Sequence, residues 1–340
     1  MLALQQVEAS PQWWERLSRF PDRLICHTPE WIRFVEEAQN ATPVFADVID
    51  GSCRVGCFCG LVISRLGIRI LGSPFSGWTT MYMGFCLEPE VPRWMALDAL
   101  KRFAFRDLGC HHFEVTDRSS LGEDGEQSGL SKNFFYSYET QLRKSEEQLF
   151  GEMKPPCRTC VRKAQRSGVV IEEAIGDDLF ADEYYEQLKD VFAKQNLVPT
   201  YSRNLVNQFL RHLYPTGHLL LLRARDPDGK CIATGLYPGM NSLAHLWGNA
   251  SFRSGQHLRP NQAMNWYAIR YWNAHGAECF DWGGEGSYKE KYGCRKVVIH
   301  RFCRSRIPIL PVLRDQARTL FHYKQRLQGW LAVQTQKSSC

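Results

Sequence analysis

Residues 276–293 read Gly276-Ala277-Glu278-Cys279-Phe280-Asp281-Trp282-Gly283-Gly284-Glu285-Gly286-Ser287-Tyr288-Lys289-Glu290-Lys291-Tyr292-Gly293. Gly276 stops a helical run over 261–275, and residues 278–282 read as a short strand. The strand runs into a glycine-rich turn, whose backbone can approach a ligand closely and expose N–H donors. Lys289 and Lys291 follow, positive charges suited to a phosphate or a developing oxyanion. The same residues also fit a plain strand, a loop and a solvated Lys/Glu turn.

Working outward, residues 203–213 read as a helix, 219–225 as extended, 226–229 as a turn and 231–237 as extended. The first half follows the same plan. A helix begins at Pro29 with Thr28 as a possible N-cap, and extended segments cover 44–49, 55–63 and 68–71. Residues 92–108 are helical, Gly109 stops them, and 112–116 is a strand. Side by side, the two helix–strand units match Gly109 with Gly276, Phe113 with Phe280, and Glu114 with Asp281. Shared order on this scale predicts an internal duplication. Hairpins alternating with helices predict an α+β fold: two tandem halves, each with a mixed, mainly antiparallel sheet. The expected divisions are 1–150, 151–305 and a C-terminal tail over 306–340. Residues 123–132 read as a loop and 144–168 as the bridge between halves. A doubly wound dinucleotide fold is disfavoured, because no Gly-x-Gly-x-x-Gly follows a first strand and no P-loop occurs.

The chain has 340 residues, 44% hydrophobic and 23% charged, as in an ordered globular protein. No run approaches the ~20 apolar residues of a membrane span. The first residues lack a secretion signal, and thirteen scattered Cys suit free thiols in a reducing compartment. A cytoplasmic location is therefore expected. The net charge of +6 is a mild attraction to phosphates and too small a surplus for a dedicated DNA binder.

A second chemical signal is the segment 154–168, where Pro155-Pro156 opens a helix and Gly168 ends it. Arg158, Arg162 and Arg166 recur every four residues on one face, beside Lys163. Such a stripe repels itself and fits an anionic, phosphate-bearing partner, or else a salt-screened exposed face. Within 244–249, Trp247 reads as core or substrate wall, and His245 as a strand histidine or a general base. Asn261, after Pro260, can cap the following helix. No spacing completes a metal site, no Gly-x-Ser-x-Gly elbow exists, and no covalent nucleophile stands out. Leu313, Ala317, Leu320, Phe321 and Leu331, with Arg314, Arg318, His322, Lys324 and Arg326, form an amphipathic helix pattern. That pattern suits packing on the body or peripheral contact with anionic lipid at the inner membrane face.

These patches together resemble a family. Arg259-Pro260-Asn261, the helix ending at Gly276, Phe280-Asp281-Trp282-Gly283-Gly284 and Tyr288-Lys289-Glu290-Lys291-Tyr292-Gly293 are similar to the C-terminal signature of the Fem-type transferases. Those proteins lie in the GCN5-related N-acetyltransferase (GNAT) superfamily; this chain has Tyr where the pattern has Phe at 288 and 292. The bridge 158–168 with the strand after it, and His27-Thr28-Pro29-Glu30-Trp31, resemble two further elements of the group. The resemblance implies two acetyltransferase-like halves with a cleft between them. It implies an N-acyltransferase that moves an acyl or aminoacyl group onto an amine of a cell-envelope, glycan or peptide precursor. No tightly bound cofactor is expected; acyl-CoA or aminoacyl-tRNA serves as cosubstrate. The usual CoA pyrophosphate loop and the tRNA-binding coiled-coil arm are both missing, which leaves the donor open between them. Lys289 matches the family's Phe-Lys lysine and is expected to stabilise the oxyanion, with Asp281 orienting the amine or taking its proton. Arg158, Arg162 and Lys163 would hold phosphate, and Trp247, Asn261, Glu285 and Tyr288 would line the substrate. The partners implied are a phosphorylated small-molecule, glycan or peptide acceptor, and tRNA if the donor is aminoacylated. A non-catalytic module binding a phosphorylated glycan or lipid carrier, or tRNA, is the alternative.

Overall fold

A computed structural model describes residues 1–284 and 286–310, together with the single positions 312, 316 and 325. The chain forms two compact units, one of residues 1–137 with the returning segment 296–310, the other of residues 138–295. The division thus falls at 137/138 rather than at 150. Residues 296–310 rejoin the first unit because the last strand pairs there.

The first unit runs β1 (Leu2–Val7), α1 (Pro11–Ser18), α2 (Pro29–Gln39), β2 (Thr42–Asp50), β3 (Cys53–Arg65), β4 (Ile68–Ser73), β5 (Gly84–Leu87), α3 (Arg93–Arg102), β6 (His112–Val115) and α4 (Gly122–Gln127). Next come β7 (Ser131–Gln141), α5 (Glu146–Glu152), α6 (Pro155–Arg166), β8 (Val170–Glu173), α7 (Asp178–Ala193), α8 (Arg203–Leu213), β9 (Leu219–Arg225), β10 (Cys231–Met240), β11 (Leu243–His245), β12 (Gly248–Ser251), α9 (Pro260–Ala274), β13 (Cys279–Asp281) and β14 (Arg295–Ser305). In the first unit the strand order is β1-β2-β3-β4-β6-β14, with β5 also on β3; in the second it is β7-β13-β11-β10-β9-β8, with β12 also on β10.

Pairing is antiparallel except at β4/β6 and β11/β13, which are parallel. Parallel neighbours need a crossover, and α3 and α9 supply it in the respective units. The registers reproduce the sequence match: Leu71 lies opposite Phe113 as Ala244 lies opposite Phe280, and Gly72 opposite Glu114 as His245 opposite Asp281. The duplication is therefore one of topology as well as of sequence. Gly109 and Gly276 end the two crossover helices at φ +62° and +82°, a conformation costly for a side chain with a Cβ.

Each unit has its own core. Phe58, Phe85, Leu100, Phe103, Phe113 and Phe302 pack in the first, and Tyr237, Met264, Trp266, Trp272, Phe280 and Trp282 in the second. Burying each of these apolar side chains stabilises its unit by about 1.5–3 kcal/mol.

Several elements differ from the sequence expectation. Residues 123–132 are not simply a loop: α4 forms because Asp124 accepts the Leu121 N–H at 2.7 Å, and β7 starts at Ser131. The helix from Arg93 relaxes into a π turn over Phe103–Asp107 before Gly109. The strand expected over 244–249 breaks into β11 and β12, because the Leu246 N–H turns to the Asp281 carbonyl and the Trp247 N–H to that of Leu236. The bridge between halves is helical, α5 then α6. The amphipathic pattern over 313–331 lies outside the described residues. No helix among the described residues is long and apolar enough to cross a membrane.

Candidate active site

The strand β13 carries Asp281 into the middle of the second unit's sheet, between β11 and β7. Its register partners are His245 on one side and Glu139 on the other, so the three side chains leave the same face of the sheet. Asp281 is 0% exposed, Glu139 5% and His245 7%. Three ionisable groups sharing one buried row is an expensive arrangement, and such rows cluster at sites of proton transfer.

Beyond Asp281 the chain turns sharply. Gly283, Gly284 and Gly286 have φ of +62°, +38° and +147°, which only glycine adopts without strain. The Gly283 N–H donates to Asp281 Oδ1 at 2.7 Å, tying the turn to the carboxylate. A short 3₁₀ turn, Ser287–Tyr292, then returns Lys289, whose ammonium donates to the carbonyls of Gly283 and, at 3.1 Å, Gly284. Lys289 is 6% exposed. Burial pulls its pKa down, and the Asp281 carboxylate opposes that shift.

The lysine-bearing turn is held at both ends. The Tyr292 ring stacks on Trp282 with centroids 4.2 Å apart. Its hydroxyl accepts from Asn265 Nδ2 at 3.0 Å, while Asn265 Oδ1 accepts from Tyr237 at 2.9 Å and from Asn249 at 3.2 Å. This buried network joins α9, β10 and β12 to the turn. On the outer side, the Lys154 N–H donates to the Lys291 carbonyl at 2.9 Å, which fixes the turn to the start of α6.

The other residues singled out from the sequence are placed as follows. Tyr288 is 59% exposed, next to Lys289. Glu285 lies outside the described residues. Trp247 stacks on Phe209 at 4.2 Å, on the α8 side of the sheet. Asn261 is not the cap of α9: Arg259, at φ +64°, holds that position, and Asn261 Nδ2 donates to Ser251 at 3.1 Å. Arg158, Arg162 and Arg166 do share a face of α6, with Lys163 beside it. Arg158, however, is spent locally, donating to the carbonyls of Gly151 and Met153 at the end of α5. Arg162 lies over the Phe150 ring at 5.2 Å, and Lys163 is exposed. The Arg253 guanidinium, near the start of α9, is taken by Asp190 at 2.9 Å.

Glu139 was not singled out from the sequence. An alternating strand glutamate reads as solvent-facing, whereas in the fold Glu139 is buried opposite Asp281 where β7 pairs with β13.

Burial also holds two histidines neutral, His245 down to about 4 and His27 in the first unit down to about 3. Both fall below the ordinary value of 6.5. A depressed histidine contributes stability that is present above its unfolded value and lost as pH falls toward its folded value. Stability to denaturant should therefore decline from about pH 6.5, by about 2 kcal/mol per buried histidine by pH 5. His27→Gln should flatten that slope in the first unit; a native chain equally stable at pH 7 and pH 5 would contradict it.

Residues 155–292 match the acetyltransferase (GNAT) domain family. The fold of the chain is similar to three solved structures. The first is FemX, with 13% identity and a TM-score of 0.72 over 91% of this chain and 99% of that one. The second is a tandem GNAT protein from the clavulanic acid biosynthesis pathway, with 12% identity and a TM-score of 0.55 over 91% and 99%. The third is L-PGS from Bacillus licheniformis, with 12% identity and a TM-score of 0.53 over 86% and 97%. No curated protein matches the sequence.

Proposed function

We propose, from the premise that the chain carries a GNAT acyltransferase-type domain within a Fem-type fold, that it is an N-acyltransferase whose working centre lies in the second unit. It would move an acyl or aminoacyl group from acyl-CoA or aminoacyl-tRNA to an amine of a cell-envelope, glycan or peptide precursor. The observation that carries this reading is the buried Asp281 carboxylate bonded to the same glycine turn that the buried Lys289 ammonium caps.

The chemistry has two charge problems, and the residues answer both. The attacking amine must be neutral and must lose a proton after attack; Asp281, in its row with Glu139 and His245, is the acceptor on hand. The tetrahedral intermediate carries an oxyanion; Lys289 has three N–H groups, two committed to glycine carbonyls, and the third can face the new charge. The two carbonyls hold that ammonium in place, so little reorganisation is needed at the moment of reaction. For the donor, α9 begins without a capping side chain, and its first N–H groups suit a phosphate.

The equivalent place in the first unit favours the second unit as the active one. Glu114 corresponds to Asp281 and likewise accepts a backbone N–H, from Ser76 at 2.8 Å, but Gly72 stands where His245 would be. The next acid, Asp117, is bound to Arg93 at 2.6 Å.

Thermal-shift titration with acetyl-CoA, free CoA, UDP-sugars and charged tRNA tests the donor class, backed by mass spectrometry of small molecules that co-purify. Stabilisation by acetyl-CoA or charged tRNA is expected. Stabilisation by UDP-sugars alone, with no transfer from either donor, would replace the enzyme with a binding module.

A further inference from the structure

A pocket of about 170 Å³ opens in the first unit, walled by Arg16, Arg19 and Phe20 from α1 and the residues after it, and by Arg54 of β3. Its floor is Asp47 and Cys57, register partners on β2 and β3. The charge arrangement there is unusual. Asp47 is 2% exposed, and its Oδ1 accepts the Trp13 indole N–H at 2.9 Å. Both Arg16 and Arg54 reach its other oxygen, Oδ2, at 3.6 and 2.8 Å.

Two guanidinium groups converging on one carboxylate oxygen lie side by side and repel each other. Asp47 is shared between them, and Glu88 at the rim is the pocket's other acid. Arg19 adds a third guanidinium, paired outward with Glu15 at 2.7 Å. The Cys57 thiol adds no negative charge, because burial pushes it up to about 12. Beyond the Asp47 contacts, the N–H donors of Arg16 and Arg54 meet no protein acceptor among the described residues. Planar forks of this kind bind oxyanions bidentately.

We propose that this pocket is a binding site for the oxyanion group, phosphate or carboxylate, of a small molecule, bridged by Arg16 and Arg54 and walled by Phe20. The bound anion takes the guanidinium N–H donors that Asp47 leaves over, and the ring of Phe20 gives an apolar substituent a surface to lie on. Glu88, exposed at the rim, disfavours ligands that carry further negative charge on that side. The site draws on no residue of the second unit and stands or falls separately from the transferase reading.

Calorimetric titration of the full chain with inorganic phosphate, phenyl phosphate and acetate, at ionic strength fixed with sodium chloride, tests it. Saturable phosphate or acetate binding in the range of about 0.1–10 mM is expected, with phenyl phosphate tighter than phosphate. The stronger of the phosphate and acetate arms identifies the group. Arg54→Gln should weaken binding about tenfold. Removing both arginines strands the Asp47 carboxylate, so the decisive variant is Arg16→Met with Arg54→Met and Asp47→Asn, which keeps an acceptor for Trp13. That folded triple variant should lose the saturable component that the native chain shows at this pocket. No saturable binding by the native chain, or equal binding by the triple variant, overturns the proposal.

Discussion

Replacing Lys289 by Met is expected to lower transfer about 100- to 1,000-fold with little change in KM, because the lost ammonium serves the developing oxyanion more than the ground state. The side chain is buried on the carbonyls of Gly283 and Gly284, so the variant also leaves two acceptors seeking water. Those carbonyls are only half-buried, so the stability loss should stay at about 1–3 kcal/mol. Circular dichroism and a denaturant titration separate the two effects. A folded Lys289→Met chain with native turnover removes the lysine from the chemistry and leaves it as a clamp for the turn.

The second large effect concerns stability, in the first unit. Arg93 bridges Asp22 and Asp117, and it also donates to the Phe85 carbonyl at 3.3 Å. Asp117 is 2% exposed, and burial holds its pKa above the usual carboxylate value although Arg93 pulls the other way. Arg93→Ala should therefore cost about 3–5 kcal/mol, since it leaves a buried carboxylate without its counter-charge. Exchanging all three groups for neutral ones, Arg93→Met with Asp22→Asn and Asp117→Asn, should cost less than the single change. A loss below about 1 kcal/mol for Arg93→Ala would show that water or relaxation replaces the pair.

These effects bear on what could be read from residue order alone. The crossover helices, their terminal glycines and the acid-tipped strands were legible, because each is specified locally by periodicity and a stop signal. The match of Phe113 with Phe280 and Glu114 with Asp281 survives as strand register. The break between β11 and β12 was not legible: it arises because the Leu246 and Trp247 amides choose acceptors on different strands. Glu139 escaped notice for the same reason, since nothing in Tyr138-Glu139-Thr140 shows that β13 will lie alongside. The arginines of α6 were correctly placed on one face, yet the use of Arg158 depends on where α5 ends. Asn261 looked like a cap, but Arg259 in the left-handed region holds that position two residues earlier. The pocket over Asp47 has no linear signature, because Arg16 of α1 and Arg54 of β3 are separated in the chain by α2 and β2.

The most direct measurement is single-turnover transfer of a labelled acyl or aminoacyl group to an amine acceptor, comparing the native chain with Asp281→Asn. The asparagine keeps an acceptor for the Gly283 N–H, so the turn stays closed while the proton acceptor is lost. Donor binding should be retained and the transfer step slowed by about 10²–10⁴. Transfer at the native rate by a folded Asp281→Asn chain would contradict the placement of the chemistry on this strand.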